Sequence, residues 1–381
     1  MDDKVAIVGV NYAQGDDLGL TRERLCFNAV RGLLDQLGID RHAIDSFILA
    51  SNDFLEGRTI SNVFEDGPVG AYLKDETKVE MDGINAVVYG ALRILEGNYD
   101  TALIIAHGLC GHQVSPYLQV QYSLDPTYDR QLGLLNELSG AALQAKAYLR
   151  RHGLDEGWLD RAAAWELSCG ASNDKVTRKL EGVDEAKVSS SAYLYEPLRE
   201  LHCYPPTDGV CAIVMASAGR ARELTDRPVW IRGFGSSIDS YYFAGRDLAV
   251  SPSAGEAARR AYAMAGVDDP ASRIDLAEVS GLFAYQAPLL AAAMGLAGEE
   301  EAPHRFASGE MGKDAPLSLN PSGGALSAHP VCATGAVRVA EAFRQLRGEA
   351  GAVQAGEPKL ALAHGQDGLC LQQNTVVILG I

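Results

Sequence analysis

Apolar residues along the chain alternate between short continuous runs and stretches with helical spacing. Val5–Val10 is a short run rich in β-branched residues and predicts a first strand. Between Leu20 and Leu37, residues Cys26, Val30, Leu33, Leu34 and Leu37 share one helical face, and Gly38 closes the element as a helix C-cap. Ile44–Ala50 predicts a second strand, Gly83–Glu96 a helix, and Ala102–Ala106 a buried strand. The same order returns later in the chain. Val229–Gly233 reads as a strand, Ala254–Ala265 as an amphipathic helix, Gly335–Leu346 as a helix and Leu360–Gly365 as a strand.

Individual residues return as well. Gly266-Val-Asp268 stands where the first half has Gly38-Ile-Asp40, and Ile274-Asp275 matches Ile44-Asp45. Leu360-Ala-Leu-Ala-His-Gly365 echoes Leu103-Ile-Ile-Ala-His-Gly108. Matches in one order predict an internal duplication. Strands separated by helices predict mostly parallel sheets with helices on their faces. The halves are residues 1–227 and 228–381, and the first carries an inserted cap region at about 113–209. The cap contains charged helices around Leu135–Arg151 and Gly157–Asn173 and an extended stretch, Tyr193–Thr207, that leads to a strand at Val210–Ala216. Insertions of this kind cover active sites or build subunit interfaces.

Composition narrows the function. The 381 residues are 47% hydrophobic and 22% charged, the balance of a folded chain. With 33 Lys and Arg against 50 Asp and Glu, the formal charge is −17, which excludes a broad nucleic-acid surface but not a local anion site. No apolar stretch approaches the roughly 20 residues of a membrane span. The Met-Asp-Asp-Lys start lacks the basic region and long apolar run of a secretory signal, so a cytoplasmic location is expected. Seven cysteines without a CxxC pair fit reduced thiols and no zinc ribbon, and no metal site is expected. Gly233-Phe-Gly235 lacks the third glycine of a dinucleotide fingerprint, so no cofactor is bound by motif.

One block is specific. Asn320-Pro-Ser-Gly-Gly324, His329-Pro330 and Ala333-Thr-Gly335 resemble the thiolase signature. Glu196-Pro-Leu-Arg199 with Thr207-Asp-Gly209, and the tail from Ala363-His-Gly365 to Gly380, are similar to thiolases of the sterol-carrier-protein-x type. The resemblance implies an α/β fold of the duplicated five-layer α/β/α/β/α kind, a dimer, and a coenzyme A thioester as substrate. Three departures accompany it. Where the family places a nucleophilic cysteine, this chain has Glu80, Met81 and Asp82. Where the family holds a catalytic water with Asn or His before a Phe, it has Ser280 or Gly281 before Phe283. Cys332 replaces a glycine of the pattern.

The resemblance assigns His329 as donor to a thioester enolate and His364 as second acid or base. Asn320, Gly323 and Gly324 would shape a loop that lets backbone approach the substrate. Asp82 at a helix start would be kept ionised by the helix dipole, as a base or simply as a cap. Tyr285 is either an acid/base or an aromatic filling the pocket wall, and Tyr241 and Tyr242 could line it. His107 is the counterpart of His364 by duplication. Cys332 and Cys370 are candidates for a relocated nucleophile, against the alternative of inert buried thiols. Retained histidine and lost nucleophile favour retro-aldol cleavage of a β-hydroxyacyl-CoA. Acyl transfer with a relocated nucleophile and a non-catalytic subunit of a hetero-oligomer are the alternatives. The implied partners are a small OB-fold zinc protein or a second thiolase-like chain.

Overall fold

Thr21 accepts a hydrogen bond from the backbone N–H of Arg24 and so starts a helix at Arg22, which runs to Leu37 and ends where Gly38 turns left-handed at φ 67°. In the second repeat the helix Pro252–Ala265 stops in the same way at Gly266, φ 69°. The structure is a computed structural model that describes residues 3–57, 59–109, 114–176 and 180–381. Cys110 and the start of the cap at 113 lie outside the described residues.

The main sheet contains β1 (Val5–Gly15), β2 (Ser46–Ala50), β3 (Asp75–Val79) and β4 (Thr101–Gly108). A small hairpin in the cap, β5 (Tyr193–Tyr195) and β6 (Leu198–Arg199), precedes β7 (Asp208–Ser217). The second repeat supplies β8 (Val229–Ile238), β9 (Leu276–Glu278), β10 (Ser318–Leu319), β11 (Leu360–Asp367) and β12 (Gln373–Gly380). Their order is β10-β9-β11-β12-β8-β1-β7-β4-β2-β3. Each repeat therefore runs third, second, fourth, fifth, first, and the two first strands join the repeats through the pairs Ala6–Trp230 and Ile7–Val229.

The sheet is mixed, which corrects the expectation of mostly parallel pairing. β2 is parallel to β3 and β4, and β9 to β10 and β11. β7 and β12 are antiparallel to both neighbours. The turn between β11 and β12 is too short for a parallel crossover, and antiparallel return is its only geometry.

Strand alternation sorts the core into layers. On β4, Ala102, Ile104 and Ala106 join a central cluster, while Leu103 and Ile105 face the Arg22–Leu37 helix. On β12, Val377 and Leu379 face the centre, and Val376 and Ile378 face the outer helices Pro252–Ala265 and Gln286–Ala293. The central cluster is filled by two helices, Gly83–Leu95 and Thr334–Leu346, through Ile84, Val87, Val337 and Phe343. Outer helices, strands, central helices, strands and outer helices make the five layers. Gly233 and Gly235 belong to this packing: a Cβ on either would collide with the Ala261 or Ala257 carbonyl of the Pro252–Ala265 helix.

The duplication extends to side chains. Asp45 Oδ2 accepts the N–H groups of Asp100 and Thr101, at 3.0 Å each, at the start of β4. Asp275 Oδ2 accepts those of Lys359 and Leu360, at 2.7 and 3.0 Å, at the start of β11. Asp45→Ala and Asp275→Ala are each expected to cost about 1–3 kcal/mol of stability, since a charged acceptor is lost from two amides. Urea unfolding of the two variants measures this, and equivalence predicts similar losses.

Candidate active site

The central helices start side by side at the bottom of a cleft of about 790 Å³, within the size range of small-molecule sites. Asp82 caps both. Its Oδ1 accepts the N–H of Ile84 and its Oδ2 that of Gly335, each at 2.9 Å. Gly335 leaves room for this carboxylate, because a Cβ there would overlap Asp82 Oδ1, and a Cβ on Gly365 would come within 2.7 Å of the same atom. Of the three residues at the place of the family nucleophile, Asp82 is the one that lines the cleft. Glu80 turns outward to Lys78 and the N–H of Asp53.

Asp367 lies against it. Its two carboxylate oxygens accept the backbone N–H of Asp82 at 3.1 Å, and Asn85 Nδ2 donates to Oδ2 at 3.3 Å. Burial raises the pKa of both acids, and the charge of Asp82 raises Asp367 further. For Asp82 the two amides pull the other way without cancelling the burial. At about 6 the pKa of Asp82 lies above the ordinary carboxylate range, so burial outweighs the two amides, yet the group is still mostly ionised at neutral pH.

His329 stands in the cleft wall. Its Nδ1 shares a hydrogen bond of 2.7 Å with Thr334 Oγ1, and its ring meets Tyr204 edge-to-face with centroids 4.4 Å apart. The Tyr204 hydroxyl donates to Glu137 Oε2 at 2.8 Å. Glu137, Cys203, Tyr204 and Asp367 all line the cleft and were not singled out from the sequence. Among the described residues lining the cleft there is no lysine or arginine, while Asp16, Asp82, Glu137, Glu200 and Asp367 contribute carboxyl groups.

Other expected site residues lie elsewhere. His364 is fully buried; its Nδ1 accepts the Ser280 N–H at 3.3 Å and its Nε2 bonds Asn374 Oδ1 at 2.9 Å. Burial lowers its pKa to about 4, so it is neutral. Leu362, two residues before it, faces the outer helices, and His364 follows the same face of β11. His107 takes the matching register on β4 and sits, fully buried, 3.0 Å from Glu65 Oε1. Tyr285 is a core residue whose hydroxyl donates to Ala141 O and Gln144 Oε1, both at 3.0 Å. Tyr242 stacks edge-on with Tyr128 at the surface, and Tyr241 is exposed beside it.

The Asn320 loop is packed beneath the site and does not line the cleft. Asn320 Oδ1 accepts the Val279 N–H at 2.7 Å, and its Nδ2 donates to Glu166 Oε1 at 2.6 Å. Burial pushes Glu166 up to about 8, so it carries a proton at neutral pH. Gly323 and Gly324 have φ of 91° and 57°, and Cβ atoms there would collide with Gly170 and Glu166 of the cap helix Gly157–Ala171. The role of these residues is to seat that helix.

The two candidate nucleophiles separate. Cys332 lines the cleft in a left-handed conformation, φ 66°, and its carbonyl accepts the Gly83 N–H at 2.6 Å. Burial, then the charges of Asp367 and Asp82, raise its thiol pKa rather than lower it. Cys370 is buried among Val120, Leu134, Phe243 and Leu369, and its thiol is raised too. Burial pushes the other cleft cysteine, Cys203, up to about 12. Among the described residues no group of three or more His, Cys, Asp or Glu side chains is arranged as metal ligands, and no helix is long and apolar enough to cross a membrane.

Two measurements follow. Asp82→Ala leaves two buried amides without an acceptor and is expected to cost about 1–3 kcal/mol in urea unfolding; an unchanged midpoint would contradict the double cap. Raised thiol pKa values mean little thiolate at neutral pH. Alkylation of Cys332 and Cys203 is therefore expected to be slower than for free cysteine, which titrates near 8.5, and to keep accelerating above about pH 9. Timed alkylation with peptide mapping reads this, and a rate that levels off below about pH 8 would contradict it.

Comparison with known proteins agrees with this architecture. The family model described as "Thiolase C-terminal domain-like" matches residues 235–381. An acetyl-CoA acetyltransferase of Methanothermobacter thermautotrophicus is 26% identical over 375 residues, 96% of either chain. The 17-hydroxy-3-oxo-4-pregnene-20-carboxyl-CoA lyase of Mycobacterium tuberculosis is 29% identical over 230 residues, 59% of this chain and 58% of that one. Among solved structures, an Ltp2–ChsH2(DUF35) aldolase superposes with a TM-score of 0.84 at 22% identity, over 99% of this chain and 98% of that one. Human mitochondrial 3-ketoacyl-CoA thiolase superposes with a TM-score of 0.73 at 16% identity, over 99% and 98%. The chain therefore has the fold of the thiolases, matches their C-terminal family model over residues 235–381, and is similar over nearly its whole length to an acetyl-CoA acetyltransferase.

Proposed function

We propose that the protein breaks a carbon–carbon bond beside an acyl-CoA thioester by retro-aldol cleavage of a β-hydroxyacyl-CoA, without an acyl-enzyme. The observation that carries this reading is the state of the cleft where a nucleophile would stand. Asp82 is spent on two amides, and the cleft thiols Cys332 and Cys203 are held protonated by burial. What is left is proton-transfer chemistry around His329.

The β-hydroxyl loses its proton to a base and becomes a carbonyl as the Cα–Cβ bond breaks. The bond's electron pair moves to the thioester as an enolate, whose oxygen lies by the His329 imidazole. Cα then takes a proton, for which Asp367, with its raised pKa, is the acid in reach of the cleft floor. The products are a ketone or aldehyde and a shortened acyl-CoA. With carboxyl groups and no lysine or arginine among the described residues that line the cleft, an uncharged acyl part inside and coenzyme A phosphates outside fit this reading.

Two relatives support this reading by name, one a carboxyl-CoA lyase and one an aldolase. A dimer, a cytoplasmic location and a partner, either a small OB-fold zinc protein or a second thiolase-like chain, belong to the same proposal. The aldolase neighbour is named for two components, whereas an SCP2-thiolase-like neighbour from Mycobacterium smegmatis is described as monomeric.

Intact-protein mass spectrometry and product analysis with β-hydroxyacyl-CoAs test the proposal. Carbonyl product is expected without added coenzyme A and without a mass increment on the protein. His329→Ala is expected to lower the rate by about 10²–10³-fold, the effect of losing one oxyanion donor. A covalent acyl adduct would overturn the reading in favour of acyl transfer.

A further inference from the structure

The retro-aldol reading needs a base for the β-hydroxyl, and two cleft residues have no part in the chemistry so far. Tyr204 sits in the loop that leads to β7. Its own N–H donates to Leu282 O at 2.8 Å, and the residues around it form isolated bridges, Cys203 with Phe283 and Pro206 with His329. The backbone thus fixes the phenol against the His329 ring, edge-to-face at 71°. Glu137 reaches the same point from the cap. It is the first residue of the helix Glu137–Arg151; burial raises its pKa, and the Tyr204 hydroxyl and the unpaired amides of the helix start favour its anion against that. That helix start is held by a reciprocal pair of bonds between Asn136 and Ser139.

The contrast with Tyr285 is informative. That tyrosine is buried in the core and gives its proton to a main-chain carbonyl and an amide, neutral acceptors suited to packing. Tyr204 lines the cleft and gives its proton to a carboxylate at 2.8 Å. Two other acids of the cleft, Asp82 and Asp367, have other parts. Both oxygens of Asp82 hold amides, and Asp367 is the group with a proton to give.

We propose that Tyr204 and Glu137 form a phenol–carboxylate relay that takes the proton from the substrate β-hydroxyl, an inference that rests on the retro-aldol reading. The β-hydroxyl proton passes to Tyr204 Oη as the Tyr204 proton passes to Glu137 Oε2. The electron pair of the broken O–H bond forms the carbonyl at Cβ, and the pair of the Cα–Cβ bond leaves into the enolate. Tyr204 ends neutral and Glu137 ends as the acid, so the step needs no other reactant. Tyr204 is the catalytic residue; Glu137 acts through it and orients it.

Tyr204→Phe keeps the ring against His329 and removes only the relay. Full-length protein is assayed with a β-hydroxyacyl-CoA for kcat and KM, and with the shortened acyl-CoA in heavy water for exchange at Cα. Tyr204→Phe and Glu137→Gln are expected to lower kcat by about 10²–10⁴-fold with KM within about threefold, the scale of general-base loss. Exchange at Cα, which involves no β-hydroxyl, is expected to fall less than about tenfold in both variants, and Glu137→Asp is expected to recover at least about tenfold over Glu137→Gln. Cleavage by Tyr204→Phe within about threefold of the unsubstituted protein overturns the relay, as does a change in KM alone. If the unsubstituted protein exchanges Cα protons but cleaves no β-hydroxyacyl-CoA, or does neither, the retro-aldol reading falls and the relay with it. Glu137→Gln and Tyr204→Phe are independent substitutions on separate segments, so a folding defect in one leaves the other to decide.

Discussion

One carboxylate fixes the geometry on which the site depends. Asp82 accepts the first free amides of both central helices, and those helices come from different repeats of the chain. A helix start leaves unpaired amides, and burying two such starts together without an acceptor would be costly. A single side chain meets both demands, which holds the repeats in register at the cleft floor. Gly335 and Gly365 keep the space around it empty of Cβ atoms. The same arrangement bears on the proposed chemistry. A side chain whose two oxygens are tied to amides is positioned for structure, and it stands where the family resemblance places a nucleophile.

A second buried network joins the cap to the core. Every residue of the Thr334–Leu346 helix is buried, so its charged residues must find partners inside. Arg338 bonds Glu278 at 2.9 Å and Ser322 at 2.8 Å, and Glu341 accepts from Asn173 at 2.7 Å. Asn173 also donates to Ser322 O at 3.1 Å, which ties the end of the cap helix to the Asn320 loop. Removing one partner from such a set leaves a buried charge alone, a loss of about 3–5 kcal/mol. The Asn-Pro-Ser-Gly-Gly block is therefore understood through the helix it seats, and its effect on the cleft is indirect.

Much of this was legible along the chain, and the reasons differ by element. The repeat of Gly38-Ile-Asp40 in Gly266-Val-Asp268 marks two equivalent left-handed caps, and Asp45 and Asp275 do the same work in each repeat. Local signals of this kind survive duplication because the local geometry survives. The histidines at 107 and 364 mislead, since alternation along β4 and β11 carries both away from the centre, a parity that Ala106 and Ala363 on the central face disclose. Asp367 continues the central parity of β11, three residues past the histidine. Glu137 and Tyr204 had no such signal. They are 67 residues apart and meet only because the cap folds over the cleft. The antiparallel β7 was equally hidden, because a strand that returns after a long insertion carries no mark of its direction.

The contents of the cleft make a coherent set once protons are followed. Retro-aldol cleavage removes a proton at oxygen and returns one at carbon, so it favours a site with an empty acceptor and a loaded donor on opposite sides of the enolate. The Tyr204 hydroxyl bonds to Glu137 and favours its anion against burial, whereas Asp367 lies beside another carboxylate that opposes its anion. Burial raises both pKa values, and the second influence acts in opposite directions on the two, downward at Glu137 and upward at Asp367. Two acids with opposed environments are how one site holds acid and base at a single pH. His329 stands against the Tyr204 ring and in the same wall as these groups, next to where the oxyanion would form. A thiolate would add a nucleophile that this sequence of proton movements does not use, and at Cys332 burial first, then the charges of Asp367 and Asp82, disfavours it.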